Sequence, residues 1–228
     1  MAEAAFATLH GSLLAALGPQ GWWPAETAEE VVVGAVLTQA VAWINATRAI
    51  DGLRREGLLG LGALAAAASE RVAPLIRPAG YFNVKARKLV ALARFVTGAG
   101  GLARLAAEEP DAVRQRLLAV YGVGEETADA ILCYALALPA MVCDAYARRV
   151  LCRIGLLPDD AAQTYGATRR YLAPRLPRDA AWLGEFHALL VAVGKDWCRP
   201  RAPRCGGCPA AALCAHARPH AAAPTRAT

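Results

Sequence analysis

Two groups of residues in this chain have types and spacing that could do chemistry. In the first, a glycine-rich turn over Gly122, Val123 and Gly124 separates two apolar runs of helical periodicity, and Asp144 precedes another such run. Glycines permit tight turns, and N–H groups at the start of the second helix lie at the positive end of its dipole. The turn therefore predicts a phosphate clamp or an ordinary helical hairpin, and Asp144 is predicted to be a helix N-cap.

The second group is a set of cysteines near the carboxy end with the spacing C-x6-C-x2-C-x5-C: Cys198, Cys205, Cys208 and Cys214. Thiolates held this close must be neutralised, so the set predicts a metal centre, either tetrahedral zinc or a [4Fe-4S] cluster. No secretion signal stands at the amino terminus, and we expect a cytoplasmic chain in which disulfides are unfavourable. The apolar runs are too short to span a membrane, so no membrane partner is expected.

Length and composition restrict the class of protein. A chain of 228 residues with 56% hydrophobic and 19% charged residues can bury a full core, which excludes a disordered protein. The formal charge of +6, carried mostly by arginine, favours a phosphate-rich partner. Apolar residues recur at helical spacing, and no alternating strand pattern is found. We therefore predict an all-α fold.

Tryptophans and a capping signal mark the amino-terminal segment. A helical run over residues 4–17 is broken at Gly18 to Gly21, and Thr27 and Glu30 have the spacing of a capping box before the run Val31 to Leu37. This pattern predicts one core helix that carries Thr38, Gln39 and Trp43 towards its far end. Trp22, Trp23 and Trp43 are either core residues or stacking surfaces for a cationic ring.

The turn and the carboxylate carry a family resemblance. The sequence VYGVGEETA, from Val120 to Ala128, followed by Asp144, resembles the helix-hairpin-helix DNA glycosylases of the endonuclease III superfamily. In that family the hairpin holds a phosphate of double-stranded DNA and the Asp is catalytic on a damaged base. The resemblance implies phosphate contacts for the hairpin residues, which include Thr127, and a catalytic role for Asp144.

The same resemblance implies an arrangement of domains. Residues 22–137 would form a six-helix barrel that contains the hairpin, and residues 1–21 would join 138–228 in a cluster lobe. The DNA cleft is expected between the two helical lobes, and the protein is expected to be a monomer associated with the nucleoid.

Two further segments resemble the family. The sequences WWP and LTQAVAW resemble its 3-methyladenine branch, in which aromatics at the places of Trp22, Trp23 and Trp43 sandwich the extruded base. Ala40 departs from the usual Asn, which leaves Gln39 as the candidate to fill the hole left by that base. The segment RPAGYFNVKARKL resembles the family's G-[FY]-[YF]-x-x-K-A and implies a DNA backbone contact for Lys85.

The uneven cysteine spacing is similar to the iron–sulfur loop of the family, which implies a [4Fe-4S] cluster on Cys198, Cys205, Cys208 and Cys214. The resemblance also implies DNA contacts by basic residues between the first two cysteines, namely Arg199, Arg201 and Arg204. Residues 215–228 lack apolar periodicity, so we expect them to be disordered.

Glu126 decides the predicted reaction. Members that cut the DNA strand have at this place a Lys that forms a Schiff base, and a carboxylate cannot form an imine. The resemblance therefore implies a monofunctional glycosylase in which Asp144 and Glu126 are catalytic, and it places Lys195 in the base pocket. Two alternatives remain: a glycosylase for oxidised pyrimidines, and a catalytically silent binder of damaged DNA.

Overall fold

The computed structural model describes residues 2–217, and this part of the chain contains helices and no strand. The predicted all-α fold is thus confirmed. The α-helices are α1 (Ala2–Leu17), α2 (Ala28–Leu37), α3 (Trp43–Arg55), α4 (Leu61–Ala66), α5 (Ser69–Val72), α6 (Phe82–Gly98), α7 (Leu102–Ala106), α8 (Pro110–Leu118), α9 (Glu125–Ala130), α10 (Ala145–Ile154), α11 (Tyr165–Leu172) and α12 (Ala180–Asp196). Short 3₁₀ helices span Ala73–Ala79, Ala173–Arg175, Cys205–Gly207 and Ala211–Leu213, and Ile131–Ala135 is a π-helical turn.

The helices belong to two compact units. One unit consists of Met1–Trp22 and Met141–Thr228, and the other consists of Trp23–Ala140. The boundaries predicted from the sequence, after residues 21 and 137, lie one and three residues before the boundaries of these units. The DNA cleft stays a prediction. Within residues 2–217 no helix is both long and apolar enough to cross a membrane.

Helix α2 forms the centre of the Trp23–Ala140 unit. Its residues from Glu30 to Leu37 are all buried, and it packs on α3, α6 and the π-helical turn. The predicted cap is confirmed, because the Thr27 hydroxyl accepts a hydrogen bond of 3.2 Å from the Glu30 N–H. Burying a helix on all sides removes its apolar side chains from water, which is the main source of stability for such an element.

The end of α2 differs from the prediction. The helix stops at Leu37 rather than continuing to Trp43, and Trp43 is the first residue of α3. The chain reverses between the two helices at Ala40, whose φ of 53° lies in the left-handed region. The prediction of one helix through Thr38, Gln39 and Trp43 was wrong because helical periodicity does not reveal such a turn at an alanine.

Lys85 holds the carbonyls that the end of α2 exposes. Its Nζ donates hydrogen bonds to the carbonyls of Leu37 (2.8 Å), Gln39 (2.7 Å) and Ala79 (2.8 Å). The last carbonyls of a helix have no partner within it and form the negative end of its dipole, so an ammonium is stabilised there. Burial, together with the smaller effect of the neighbouring Lys88, lowers the pKa of Lys85 to about 8, which leaves the ammonium mostly protonated at neutral pH.

A buried ion pair joins the two helices of the hairpin. Arg114 of α8 contacts Asp129 of α9 through Nε–Oδ1 at 2.6 Å and Nη2–Oδ2 at 3.2 Å, and its Nη2 also lies 3.3 Å from Glu125 Oε1. The Asp129 side chain is 0% exposed and that of Arg114 is 7% exposed. The two parallel hydrogen bonds fix both the distance and the orientation of the helices that flank the turn.

The turn of the hairpin depends on Gly122. Its φ is 81°, which side chains rarely adopt, and a Cβ at this position would overlap the side chain of Lys88. The predicted helical hairpin is therefore present, with Val123 buried and Gly124 exposed as the N-cap of α9.

Helices α1, α10 and α12 form the core of the other unit. The rings of Phe6 and Phe186 lie edge to face, with their centroids 6.4 Å apart, and α10 approaches α12 where Tyr146 covers Gly194. The backbone N–H groups of Ala215 and His216 donate to the carbonyls of Ile154 and Arg153. The expected disorder is thus wrong for residues 215–217, because they continue the hydrogen bonding of α10, and residues 218–228 lie outside the described residues.

We predict that Ala40→Gly stabilises the protein. Glycine adopts a left-handed φ without the steric cost that alanine meets, so the free energy of unfolding should rise by about 1 kcal/mol. Urea denaturation of both proteins measures this difference. The control is Ala112→Gly on an exposed position of α8, where the same change should lower the free energy by about 1 kcal/mol. Equal destabilisation by the two changes would contradict the account of Ala40.

We also predict that Asp129→Asn lowers the free energy of unfolding by roughly 3 kcal/mol, because it leaves the buried Arg114 charge without its carboxylate. The control is Glu108→Gln, which removes an ion pair of the same 2.6 Å length to Arg116 at the surface. Exposed pairs contribute at most about 1 kcal/mol, so the control should change little. Similar losses in the two variants, measured by urea denaturation, would show that burial does not strengthen the Arg114 contact.

Candidate active site and cysteine loop

Asp144 lies at the start of α10 with its two carboxylate oxygens in different environments. Oδ1 accepts a hydrogen bond of 2.7 Å from the Ala147 N–H, which confirms the predicted N-cap. Oδ2 lies 3.6 Å from Nε2 of His187 on α12. Just before Asp144, the Cys143 N–H donates to the Tyr165 hydroxyl at 3.2 Å, which fixes the backbone that leads into the helix.

The surroundings of Asp144 keep it charged. Its side chain is 15% exposed and that of His187 is 6% exposed. Burial on its own raises the pKa of Asp144, but the contact with His187 and the N–H groups of Ala147 and Tyr146 outweigh burial and lower it below the ordinary value. The carboxylate is therefore an anion at neutral pH that still reaches solvent, as a group that stabilises a cation must be.

Gln39 connects the end of α2 to the hairpin. Its side-chain amide donates to the Gly122 carbonyl (3.2 Å) and to the Thr127 hydroxyl (2.9 Å), and its Oε1 accepts from Lys88 Nζ at 2.6 Å. In this conformation the amide supports the hairpin, so filling the hole left by an extruded base would require these bonds to break. Thr127 is buried within the same network rather than exposed towards a phosphate.

Aromatic side chains gather beside α2 in the Trp23–Ala140 unit. The Trp23 ring lies 5.7 Å from the rings of both Trp43 and Tyr134, measured between centroids, at tilted angles of 68° and 60°. All three side chains are partly exposed. The predicted partners Trp23 and Trp43 are thus brought together, and Tyr134 joins them from the π-helical turn. Trp22, which we predicted for the same pocket, belongs to the other unit.

The remaining predicted cations have unequal access to a ligand. Lys85 is 3% exposed, and its ammonium already donates to three carbonyls, so the structure does not support the predicted contact of Lys85 with the DNA backbone. Burial of the whole side chain at the end of α2 is the physical reason. The exposed cations are Lys195, Arg201 and Arg204, whereas Arg199 is half-buried. The predicted catalytic carboxylate Glu126 is also exposed, in the first turn of α9.

Arginines of α10 hold the loop that contains the predicted cluster ligands. Arg149 donates to the Cys198 carbonyl at 2.7 Å, and Arg153 donates to the carbonyls of Arg199 (2.7 Å) and Pro200 (2.8 Å). Arg153 Nη1 also lies 3.5 Å from the sulfur of Cys198. The loop is thereby fixed against a positively charged helix, which suits a group of thiolates.

The thiols of this loop have the chemistry of a cluster site. Cys198, Cys205, Cys208 and Cys214 are all free. Burial raises the pKa of Cys208, and the nearness of Cys198, Cys214 and Cys205 raises it further, because neighbouring thiolates repel one another. Within residues 2–217, however, no three His, Cys, Asp or Glu side chains are arranged as ligands of one metal ion. Four thiols are donors of the kind that either zinc or a [4Fe-4S] cluster takes, and the cluster stays a prediction.

The sequence did not reveal His187, Tyr134 or Lys88 as parts of these groups. His187 is a single polar residue within the apolar run FHALLVAV, and Tyr134 looks like an ordinary core position in ILCYALAL. Their partners lie far away along the chain, so periodicity carries no signal for them. A polar residue within a buried run is the only hint, since such a residue needs a hydrogen-bonding partner.

Comparison with known proteins identifies the family. Residues 33–178 match the model of the HhH-GPD superfamily base excision DNA repair proteins. A protein of Methanocaldococcus jannaschii, provisionally named a DNA repair glycosylase, is 40% identical over 205 residues, which are 89% of this chain and 92% of that protein.

Solved structures agree with this result. The 3-methyladenine DNA glycosylase of H. pylori, bound to 1,N6-ethenoadenine, is 27% identical, with a TM-score of 0.64 over 82% of this chain and 95% of the other. A trapped covalent intermediate of endonuclease III with DNA has a TM-score of 0.77 over 96% and 98% of the two chains; at 18% identity this likeness concerns the fold. The predicted relationship is confirmed: this chain belongs to the HhH-GPD superfamily and is a base excision repair DNA glycosylase.

Proposed function

We propose that this glycosylase is monofunctional and removes alkylated purines such as 3-methyladenine from double-stranded DNA. The observation that carries the proposal is Glu126, an exposed carboxylate in the first turn of α9, where strand-cutting relatives need an amine. A carboxylate cannot form the Schiff base on which strand cleavage depends. The products are then a free base and an abasic site in an unbroken strand.

The chemistry of the departing base explains why such a site needs few catalytic side chains. A purine alkylated at N3 or N7 carries a positive charge while it is attached to the sugar. When the glycosidic bond breaks, its electron pair stays with the base, which departs neutral, and the sugar becomes a cation. No acid is needed to protonate this base, so the site must chiefly stabilise the sugar cation.

Asp144 is the group suited to that task. It is charged at neutral pH, partly shielded from solvent, and fixed by its bond to the Ala147 N–H. An anion held in a site of low dielectric stabilises a developing cation more strongly than one in water. Water then adds to C1′ of the sugar and gives its proton to a carboxylate, and Asp144 and Glu126 are the candidates for this acceptor.

The aromatic group of Trp23, Trp43 and Tyr134 favours a charged base. A cation over an aromatic face gains about 0.5–2 kcal/mol, whereas a neutral oxidised pyrimidine would need hydrogen-bond donors instead. The similarity to the H. pylori enzyme, whose bound base is an ethenoadenine, supports a modified purine as the substrate. Lys195 belongs to the other unit and its side chain is exposed, so its place in the base pocket stays a prediction from the resemblance.

The DNA contacts and the cluster complete the proposal. The hairpin at Gly122 to Gly124 and the exposed Arg201 and Arg204 are the groups that would neutralise phosphates. We propose that Cys198, Cys205, Cys208 and Cys214 hold a [4Fe-4S] cluster. When bound, the cluster would fix this loop and orient its arginines, and it takes no part in breaking the glycosidic bond.

We predict that Asp144→Asn slows base release by on the order of 10²-fold or more, since the charge opposite the sugar cation is lost while the amide can still cap α10. The assay measures single-turnover release of free base from duplexes that contain 3-methyladenine, 7-methylguanine or thymine glycol. DNA affinity should persist, because the hairpin and the arginines are unchanged. Release of thymine glycol alone would contradict the proposed substrate class.

The matched control for this experiment is Asp179→Asn. Asp179 caps α12 as Asp144 caps α10, with its Oδ1 accepting from the N–H groups of Ala181 and Trp182. The control removes one negative charge from a helix start in the same unit. A comparable loss of base release in both variants would show that the effect arises from helix capping rather than from catalysis.

We predict that protein purified without oxygen under iron-replete conditions is brown, with broad absorption at roughly 400 nm from thiolate-to-iron transitions. Replacing Cys208 by Ser should abolish this absorption, whereas replacing Cys133, a buried thiol outside the loop, should leave it unchanged. Colourless protein with one zinc per chain would establish the alternative metal.

A further inference from the structure

We propose that His187 is the positioning residue of Asp144: its imidazole holds the carboxylate charged and oriented, and so sets the lowest pH at which the enzyme releases base. The inference rests on the proposed function, since Asp144 must act on the sugar cation for the effect to reach the reaction rate.

The geometry gives each carboxylate oxygen its own partner. Oδ1 of Asp144 is held from its own helix by the Ala147 N–H at 2.7 Å, and Oδ2 faces Nε2 of His187 at 3.6 Å. A single hydrogen bond at one oxygen restrains the rotation of the carboxylate about its Cβ–Cγ bond only in part. The second contact, from another helix, fixes the plane of the group.

Because Asp144 and His187 are both largely buried, the contact between them affects the charge of the carboxylate. With Asp144 15% exposed, the loss of water favours its neutral form, and the ring of His187 opposes this preference. Without the imidazole, only backbone N–H groups would remain to stabilise the anion. At a separation of 3.6 Å in a poorly hydrated site, a polar neighbour stabilises a charge more strongly than it would in water.

The fold fixes the position of His187. Its neighbour Phe186 is fully buried against Phe6 of α1, so the ring of His187 is held on the side of α12 that faces α10. Tyr146, two residues after Asp144, covers Gly194 of α12, and a Cβ on that glycine would come within 2.6 Å of the tyrosine ring. Close approach of the two helices therefore sets the distance between the two side chains.

Other titratable groups on these helices have different partners. On α1, His10 stacks on Trp182 with the ring centroids 4.6 Å apart. On α12, Glu185 accepts from the Gln20 N–H at 2.8 Å. On α10, Arg149 donates to the carbonyls of Cys198 and Gly194, and Arg148 donates to those of Ala162 and Gln163. His187 is thus the side chain that faces Oδ2 of Asp144 and lowers the pKa of that carboxyl group.

The pH dependence follows from the direction of this effect. Base release requires ionised Asp144, so the rate falls as the pH decreases through the pKa of that carboxyl group. His187 lowers this pKa, and its removal leaves burial to raise it. The acid limb of the rate profile must therefore move to higher pH when His187 is replaced, whereas a residue that only stabilises the fold would lower the rate without moving the limb.

The test is the pH profile of single-turnover base release, between about pH 4 and pH 8, for the native protein and His187→Phe. An aromatic ring is kept in this variant and the nitrogen is lost, so the acid limb should shift upward by about one pH unit, the size expected when a carboxylate loses one stabilising neighbour. His187→Asn restores a donor and should shift the limb by less. An acid limb at the native position in both variants would overturn the inference. If His187→Phe does not fold, His187→Leu, which also lacks the nitrogen, takes its place, and an acid limb at the native position in that variant overturns the inference.

The matched control is Leu189→Ala at a fully buried position of α12, which disturbs packing and leaves both the nitrogen of His187 and the support of its ring by Phe186 unchanged. It should lower stability and leave the acid limb unmoved; an equal shift would overturn the inference by assigning the effect to packing.

A second measurement does not depend on catalysis. Carboxyl titration by ¹³C NMR, with the Asp144 signal assigned from Asp144→Asn, should show a higher pKa in His187→Phe than in the native protein. If the native protein releases no base from any duplex, the proposed function fails and this titration still decides on His187. An unchanged Asp144 titration would overturn the inference even for an active glycosylase.

Discussion

The ion pair between Arg114 and Asp129 is the interaction on which the hairpin depends. Two hydrogen bonds between buried side chains connect α8 to α9 and leave the turn between them little freedom. The turn is further supported from α2, since Gln39 bonds to Gly122 and Thr127 and receives a bond from Lys88. The proposed phosphate contact of the hairpin would benefit from such rigidity, because less entropy is lost when a ligand binds to a rigid loop.

Buried charge organises the other parts of the chain in the same way. Lys85 satisfies carbonyls at the end of α2 and at Ala79, so the loops that contain Ala40 and Tyr81 are tied to one ammonium. In the other unit, α10 starts at Asp144 and carries Arg149 and Arg153 on its later turns. Asp144 presents an anion to His187, and the two arginines fix the backbone of the cysteine loop. One helix therefore supports both the proposed reaction and the proposed cluster.

The sequence predicted the elements of this site better than their contacts. The helical hairpin and the caps at Thr27 and Asp144 follow from local patterns, and the structure contains them. The grouping of Trp23 with Trp43 follows instead from the family resemblance, and the structure contains it too. The role of Lys85 could not be predicted, since a basic residue in a helix looks the same whether it faces solvent or distant carbonyls. The left-handed turn at Ala40 had no glycine to mark it, and His187 meets Asp144 only because two helices pack together. Long-range pairing of polar groups is what a single sequence does not reveal.

The central claim is that a glycosylase with Glu126 at the start of α9 leaves the DNA strand intact. The most direct test incubates the native protein with a duplex that contains a single alkylated purine, in the presence of borohydride, and then separates the products by gel electrophoresis. The account predicts free base, a strand that breaks only after alkali treatment, and no protein attached to DNA. A covalent adduct trapped by borohydride would contradict it and would show that an amine, with the exposed Lys195 the first candidate, attacks the sugar.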